Sequence, residues 1–457
     1  MTMISRVGRK NARVRLLFAF LYLVLGLGGV SMIYPFLLML SGSTKSGVDI
    51  KDVSWFPAFL LDDEDLYRKH IESLFNEQLE IMRAVYDSDD PSFEKVKPPE
   101  TIRPLFVREW LEFTAKGVPE LSYTIGYMQA SVSRTVPRHL RLFKQQMIDQ
   151  HGPTIQQANR VLETEFVGWN AFFLLPEDAF LRRSSPLGSE LGNAWRSYRT
   201  EAPELYRYYF ALEGFYKSLY LKTQFTRNID EFNRVHGTAF TSYDDIHLTA
   251  SVPDGTPQEK ETWTRFVRNS LNLEWIRLDP SAASSYRDYL KARYGSLEAV
   301  NRLYGAAWTS WSDLPLVESV PWSGLIRSDW ETFITGWQDP DTGIFYQPLA
   351  EQLRIDSIDE KFRTFLQLKW ASLENMNRAQ GTEFTSWQEI QPPQKESHYL
   401  SFIENRGSIR REFSTRNFIA ALDHIAFHGR GIRNTVIYCL LAIMSALLVN
   451  PLAAYAM

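Results

Sequence analysis

The sequence predicts a mainly α protein: two transmembrane helices flanking a large, mostly helical extracytoplasmic domain built of about four degenerate repeats of roughly 70 residues. Three observations lead there. Two long stretches carry no charged residue, the charges are unevenly divided along the chain, and one 19-residue pattern recurs four times between the stretches.

Residues 16–40 (LLFAFLYLVLGLGGVSMIYPFLLML) and 435–457 (TVIYCLLAIMSALLVNPLAAYAM) are the uncharged stretches. At ~1.5 Å per helical residue they reach roughly 37 Å and 35 Å, enough to cross a ~30 Å hydrocarbon core with tilt. The first outruns the apolar region of a cleaved signal, about 7–15 residues, and continues through Tyr34, Pro35 and Phe36. It is read as an uncleaved span, residues 16–40. No polar face recurs at helical spacing in the second, which separates it from a buried core helix. Pro451 inside it frees a carbonyl near Leu447, a defect that membrane helices tolerate where a neighbour re-satisfies the group.

Arg6, Arg9, Lys10, Arg13 and Arg15 make residues 1–15 a basic N-terminus, held in the cytoplasm by the positive-inside rule. The repeat-containing insert at 49–412 then lies outside, and a second helix at 432–457 returns inward, as in a multi-pass protein of the cell's inner (plasma) membrane. The net charge of −4 resolves into +6 on residues 1–48 and −10 on 49–434. That balance argues against nucleic acid as a partner, which needs a basic footprint. The single cysteine, Cys439, falls in the second span. The exterior part therefore has no disulfide and no thiol chemistry, and rests on an ordinary hydrophobic core.

The repeat reads TIQQANRVLETEFVGWNAF (154–172), NIDEFNRVHGTAFTSYDDI (228–246), SLEAVNRLYGAAWTSWSDL (296–314) and SLENMNRAQGTEFTSWQEI (372–390). Thr154, Asn228, Ser296 and Ser372 are N-cap types, and Gln157 and Glu231 complete capping boxes in the first two copies. Gly237, Gly305 and Gly381 stand where a left-handed residue ends a short helix, whereas Glu163 makes that cap doubtful in the first copy. The alternating small and aromatic residues that follow suit a short extended segment. The repeated aromatics, Phe166/Trp169, Phe240/Tyr243, Trp308/Trp311 and Phe384/Trp387, are read first as each unit's core wedge and second as sugar-stacking platforms. Asn159, Asn233, Asn301 and Asn377 are read as local caps or backbone clamps.

A longer amphipathic helix precedes the last two copies, with Tyr286, Tyr289, Leu290 and Tyr294 matching Phe362, Phe365, Leu366 and Trp370. Lys217, Tyr220, Leu221 and Phe225 match once one residue is inserted. Pro-rich stretches at 90–104 and 251–255 mark joints between units.

No motif of a hydrolase, a phosphate-binding loop, a calcium loop or a paired-histidine metal site occurs, so the sequence predicts no catalytic residue, no metal site and no cofactor, and leaves the substrate-binding residues unknown. The histidines are dispersed (His70, His139, His151, His236, His247, His398, His424, His428). Only His424 and His428 share a helix face, read as a solvated juxtamembrane face rather than a metal pair. Asp244/Asp245 and Asp62 to Asp65 are the densest carboxylates. The stretch YRDYLKARYGSLEAVNRLYGAAWTSW resembles, locally, helices near the catalytic barrels of β-galactosidase-type glycoside hydrolases, but the βα alternation of a barrel does not accompany it.

The ends carry a sharper likeness. Residues 34–46, YPFLLMLSGSTKS, resemble the close of the first helix in sugar-type ABC importer permeases, the maltose-transporter inner-membrane subunit family. Residues 417–457, with their Asn417-Phe418 segment, Asn434-Thr435 and closing Ala453 to Ala456, resemble that family's entry to its second helix. The likeness covers about a fifth of the chain. It implies a permease component, not an enzyme, that works with an ATP-binding cassette ATPase subunit, a second permease subunit and an extracytoplasmic solute-binding protein in the lipid bilayer. The family's inter-helix link is usually shorter, and its later helices and ATPase-docking loop have no counterpart here, so the resemblance implies a chain truncated after the second helix. The alternative is a two-helix membrane-anchored extracytoplasmic sensor, co-polymerase-like or carbohydrate-binding protein.

Overall fold

The computed structural model describes residues 12–128, 136–175, 177, 179–184, 188–321, 324–423 and 431–456. His424 and His428 lie outside the described residues. The chain is mainly α-helical, with a long apolar helix at either end and a helical repeat domain between them. The first apolar helix is Ala12–Gly42, a turn longer at its start than the uncharged run because Arg13 and Arg15 continue it. The second is Gly431–Ala456. Protein covers neither apolar window, and both are long enough to cross a membrane.

Two compact units divide the chain. One is built from the chain ends, up to His70 and from Phe402 onward, and the other from Ile71 to Ser401. The expected insert at 49–412 is therefore larger than the second unit, because residues 49–70 and 402–412 pack with the chain ends. Buried Lys69 explains this in part: its ammonium reaches both Asp49 oxygens at 2.8 and 2.9 Å and Ser46 Oγ at 3.0 Å, and lies over the Phe59 and Phe413 rings. Asp63 pairs with Arg406 and Arg410, and Asn417 donates its Nδ2 hydrogen to the Ser43 carbonyl.

Among the described residues, helices come as five long-short pairs, one before the four repeats read from the sequence and one at each of them. Pair 1 is Asp63–Leu74 with Leu79–Tyr86; pair 2 is Arg138–His151 with Ile155–Leu162; pair 3 is 212–225 with Ile229–His236. Pair 4 is Ala283–Tyr294 with Leu297–Tyr304, and pair 5 is Ile358–Trp370 with Leu373–Gln380. Each short helix starts at the expected N-cap type in pairs 2 to 5 and ends on a left-handed residue: Gly237, Gly305, Gly381, and also Glu163, despite its side chain. The expected capping boxes at Thr154 and Asn228 do not form. Asn228 instead caps the amide of Asp230, and boxes appear at Ser242/Asp245 and Thr256/Glu259, where the acid follows a serine or threonine that can reach back.

The recurrent asparagine is a backbone clamp. Asn159, Asn233, Asn301 and Asn377 each donate Nδ2–H to the carbonyl seven residues on, at 2.8 Å, and each accepts that residue's N–H on Oδ1 at 3.0–3.2 Å. A single amide thus satisfies both backbone groups of the repeat aromatic, which otherwise lacks a ladder partner. A second clamp closes the next turn, with Thr241, Thr309 and Thr385 donating to Asp245, Asp313 and Glu389.

The loops after the short helices join no sheet among the described residues and end in single 3-10 turns, with the serines that start those turns in the second to fourth copies, Ser242, Ser310 and Ser386, in extended backbone. The strands come earlier in each unit, just before the long helix. They are β1 (Tyr123–Ile125), β2 (Arg207–Tyr209), β3 (Ile276–Leu278) and β6 (Leu353–Ile355), with a small hairpin of β4 (Trp337–Gln338) and β5 (Phe345–Tyr346). β1 pairs antiparallel with β2, Tyr123 opposite Tyr209, and β3 pairs with β6, Ile276 opposite Ile355.

Aromatic packing holds the unit together. Trp110, from the helix Pro104–Ala115, meets Tyr209 and Phe362 edge-on at 4.9 and 5.2 Å, inside a cluster completed by Phe106, Phe113, Ile358, Leu366 and Met376. Phe384 and Trp387 pack half-buried against it, as Phe166 and Trp169 do against the cluster around Phe143 and Trp195. In these two copies the repeat aromatics are wedges that close the helix pair onto its core.

The one-residue insertion in pair 3 is absorbed as a π-helical stretch, Phe215–Leu221. Immediately before it, Gly214 lies so close to the short helix of pair 1 that a Cβ would stand 1.9 Å from the Ala84 carbonyl oxygen.

Candidate functional site

The segment after pair 5, Gln391-Pro392-Pro393-Gln394-Lys395-Glu396-Ser397-His398, is the polar hub of the second unit. Two prolines keep Gln391 out of the helix that begins at Gln394. Gln394 then grips both backbone groups of Tyr209, accepting its N–H at 2.8 Å and donating to its carbonyl at 2.9 Å. Glu396 accepts the Arg103 N–H at 2.6 Å and the Arg103 Nε–H at 3.0 Å, and the guanidinium sits over the Phe106 and Phe384 rings.

His398 is buried and bonded on both nitrogens. Its Nε2 meets the Arg207 carbonyl at 2.7 Å, which can only accept, so Nε2 carries the proton and Nδ1 accepts from the Tyr86 hydroxyl at 2.7 Å. Burial pushes its pKa down to about 4, which keeps this neutral tautomer in place.

Around this hub lies a cavity of about 250 Å³, walled by Tyr86, Arg103, Phe384, Glu389, Gln391 and Lys395 among others. Its volume suits a small polar molecule. The walls present both signs of charge, an amide and an aromatic edge.

Gln391 links the cavity to a buried charge network. Its Nε2 donates to Asp87 Oδ2 and Glu213 Oε1, both at 3.0 Å. Glu213, at the foot of the π-helical stretch, also takes His247 Nδ1 at 2.9 Å, Lys217 Nζ at 3.1 Å and the Arg363 guanidinium. Burial alone would raise the Glu213 carboxyl, but these three partners outweigh it and hold it down to about 2. Burial likewise works against the Lys217 ammonium, and Glu213 with Asp87 overcomes it and raises its pKa. Asp359 is wholly buried; burial raises it to about 6 against the pull of Arg363. One Asp359 oxygen accepts the Leu212 N–H at 2.8 Å, while the other meets no hydrogen-bond partner among the described residues. Such a network is rigid when paired and costly when any member is removed.

The residues weighed in the sequence serve the scaffold instead. Asp245 closes its clamp on Thr241 and Ser242, and Asp63 holds the arginines of the first unit. His236 stacks on Phe232 and meets Thr262 at 2.8 Å, and His139 meets Tyr198 at 3.0 Å, its pKa lowered by burial to about 4. Among the described residues no group of three or more His, Cys, Asp or Glu could hold a metal ion. The hub at 391–398 was missed because its partners lie 178 to 312 positions away; the one local signal was the Pro-Pro step that sets it apart from the repeat. No family model, no curated protein and no solved structure matches the chain.

Proposed function

We propose that the chain is the membrane-spanning part of a permease subunit in an ABC-type importer of sugar-like solutes. The observation that carries this reading is the bond between Asn417 and the Ser43 carbonyl. It joins the two segments that resemble the permease family, 374 positions apart, where the first apolar helix ends and the approach to the second begins. In this reading residues 1–15 face the cytoplasm, both apolar helices cross the inner membrane, and the repeat domain stands outside, where it meets a binding protein. The chain's partners are an ATP-binding cassette ATPase and a second permease subunit, and the domain carries out no chemistry.

The test is a chromosomal N-terminal tag and purification from solubilised membranes. An ATPase subunit and a second permease should come down with the tagged chain; recovery of neither sinks the proposal.

The cavity beside Gln391 favours a second reading, a membrane-anchored extracytoplasmic binding or sensing protein for a small polar ligand such as a sugar. Saturation at about 100 times Kd would raise stability by ~2.7 kcal/mol. A panel of neutral mono- and oligosaccharides that leaves the melting temperature unmoved counts against this reading.

A further inference from the structure

We propose that the loop at 50–61 is a second membrane contact, an apolar foot that sits in the headgroup region of the outer leaflet next to the first span. The inference rests on the reading that Ala12–Gly42 spans the bilayer. From Leu16 to Leu40 that helix rises roughly 37 Å, against ~30 Å for the hydrocarbon core, so Ser41 and Gly42 stand at the level of the headgroups.

The loop is pinned at that level. Buried Ser41 donates its hydroxyl to the Ser54 carbonyl at 2.8 Å, folding the chain back on the helix end. Asp49, held by Lys69, and Phe59, packed against Phe413 at 6.4 Å, root the loop on either side. Between and beyond these roots the apolar side chains face outward. Val53 is 76 % exposed, Trp55 58 %, Phe56 43 % and Leu61 80 %, with Ile50 beside them. Protein that buries Phe59 to 1 % but leaves four large neighbours open has built a surface, not a core.

The chemistry of that surface is that of the membrane interface. Tryptophan and other aromatics concentrate at headgroup depth, where an amphipathic ring suits a boundary that is apolar on one side and wet on the other. Lys45, which donates to the Asp52 carbonyl, and Lys51 lie beside the patch, and basic residues at this depth favour an anionic headgroup. The occupant is therefore the lipid surface itself, continuous with the lipid around the first span.

The experiment uses the full chain in proteoliposomes of phosphatidylethanolamine and phosphatidylglycerol. Its sole cysteine, Cys439, is exposed on the second apolar helix and reports the span when labelled with an environment-sensitive fluorophore. In a Cys439→Ser background, single variants Val53→Cys, Trp55→Cys and Leu61→Cys report the foot. Glu404→Cys, exposed on the helix Gln394–Asp423 about 20 Å in rise beyond Asn417, is the aqueous control. The foot positions should show blue-shifted emission, quenching by nitroxide lipids labelled near the headgroup, and protection from iodide relative to position 404. Iodide quenching equal to that at 404 overturns the proposal while a lipid-quenched Cys439 leaves the spanning reading intact. Protection from both quenchers overturns it in favour of a protein contact. If Cys439 too is open to iodide, the spanning reading itself fails.

Discussion

Arg83 donates its Nε hydrogen to the Asp90 carbonyl at 2.8 Å, seven residues on, the same reach that Asn377 makes to Phe384. Pair 1 is thus a fifth copy of the repeat with a different clamp, ending on Asp87 in the left-handed region where the others place glycine or Glu163. The clamp is a geometric requirement of the fold that two chemistries meet.

Asn377→Ala should therefore destabilise the protein by about 2–3 kcal/mol, since it leaves an N–H and a carbonyl of Phe384 unpaired beside the core. Asn377→Asp retains the acceptor and loses only the donor, so it should cost less. Denaturant unfolding of the two variants in detergent checks the order, and equal losses would show that the clamp does not act through both bonds.

Gly214→Ala should be more harmful than an alanine in a helix normally is. A methyl 1.9 Å from the Ala84 carbonyl must push the π-helical stretch of pair 3 away from pair 1, at a cost of about 1–3 kcal/mol. Gly407→Ala, on a helix face with nothing within 4 Å, is the control and should stabilise or leave the melting temperature unchanged.

Glu213→Gln should lose about 3–5 kcal/mol, because Lys217 and Arg363 keep their charges in a buried site. Its folded pKa is depressed, so the penalty relative to wild type is complete above about pH 4.5 and shrinks as pH falls toward 2. The exposed pair Glu374–Arg378 gives the contrast: Glu374→Gln should change stability by less than about 0.5 kcal/mol. Thermal unfolding of both variants at pH 7 and pH 3 reads the difference.

His398 sets a slope of the same sign in a higher pH window. Folded, it stays neutral down to about 4, whereas the unfolded chain takes up a proton near 6.5, so wild type loses stability as pH falls through that window. The loss is about 1.4 kcal/mol per pH unit for this one group. His398→Gln, which can still donate to the Arg207 carbonyl, should show a shallower decline between pH 6.5 and 4; an unchanged slope would mean that the ring is not held neutral.

Much of the repeat was legible because it is local. N-caps, left-handed glycines and the clamping asparagines act within ten residues, so their spacing alone placed four short helices and the ends of three of them. Pair 1 escaped because Arg83 and Asp87 meet the same geometric needs with other residues. The mismatch of one residue at Lys217 was visible in the sequence, but only the π-helical stretch gives it a form. The buried network was not legible at all, since Asp87, Glu213 and Arg363 come from pairs 1, 3 and 5 and Gln391 from the segment after pair 5, and no pattern in any of them shows that the others are near.

The strand pairing dictates an order of assembly. β1 cannot pair until β2 has been reached, nor β3 until β6, and in each case a complete helix pair or more lies between the partners. Helix pairs with their own clamps can form early from neighbours in sequence, whereas each ladder must close a long loop first. A chain emerging gradually would thus meet Glu318 and Ser319 on one edge of β3 first and carry its other edge unpaired until Leu353–Ile355 arrives, and that edge is then the point most open to mispairing with another chain.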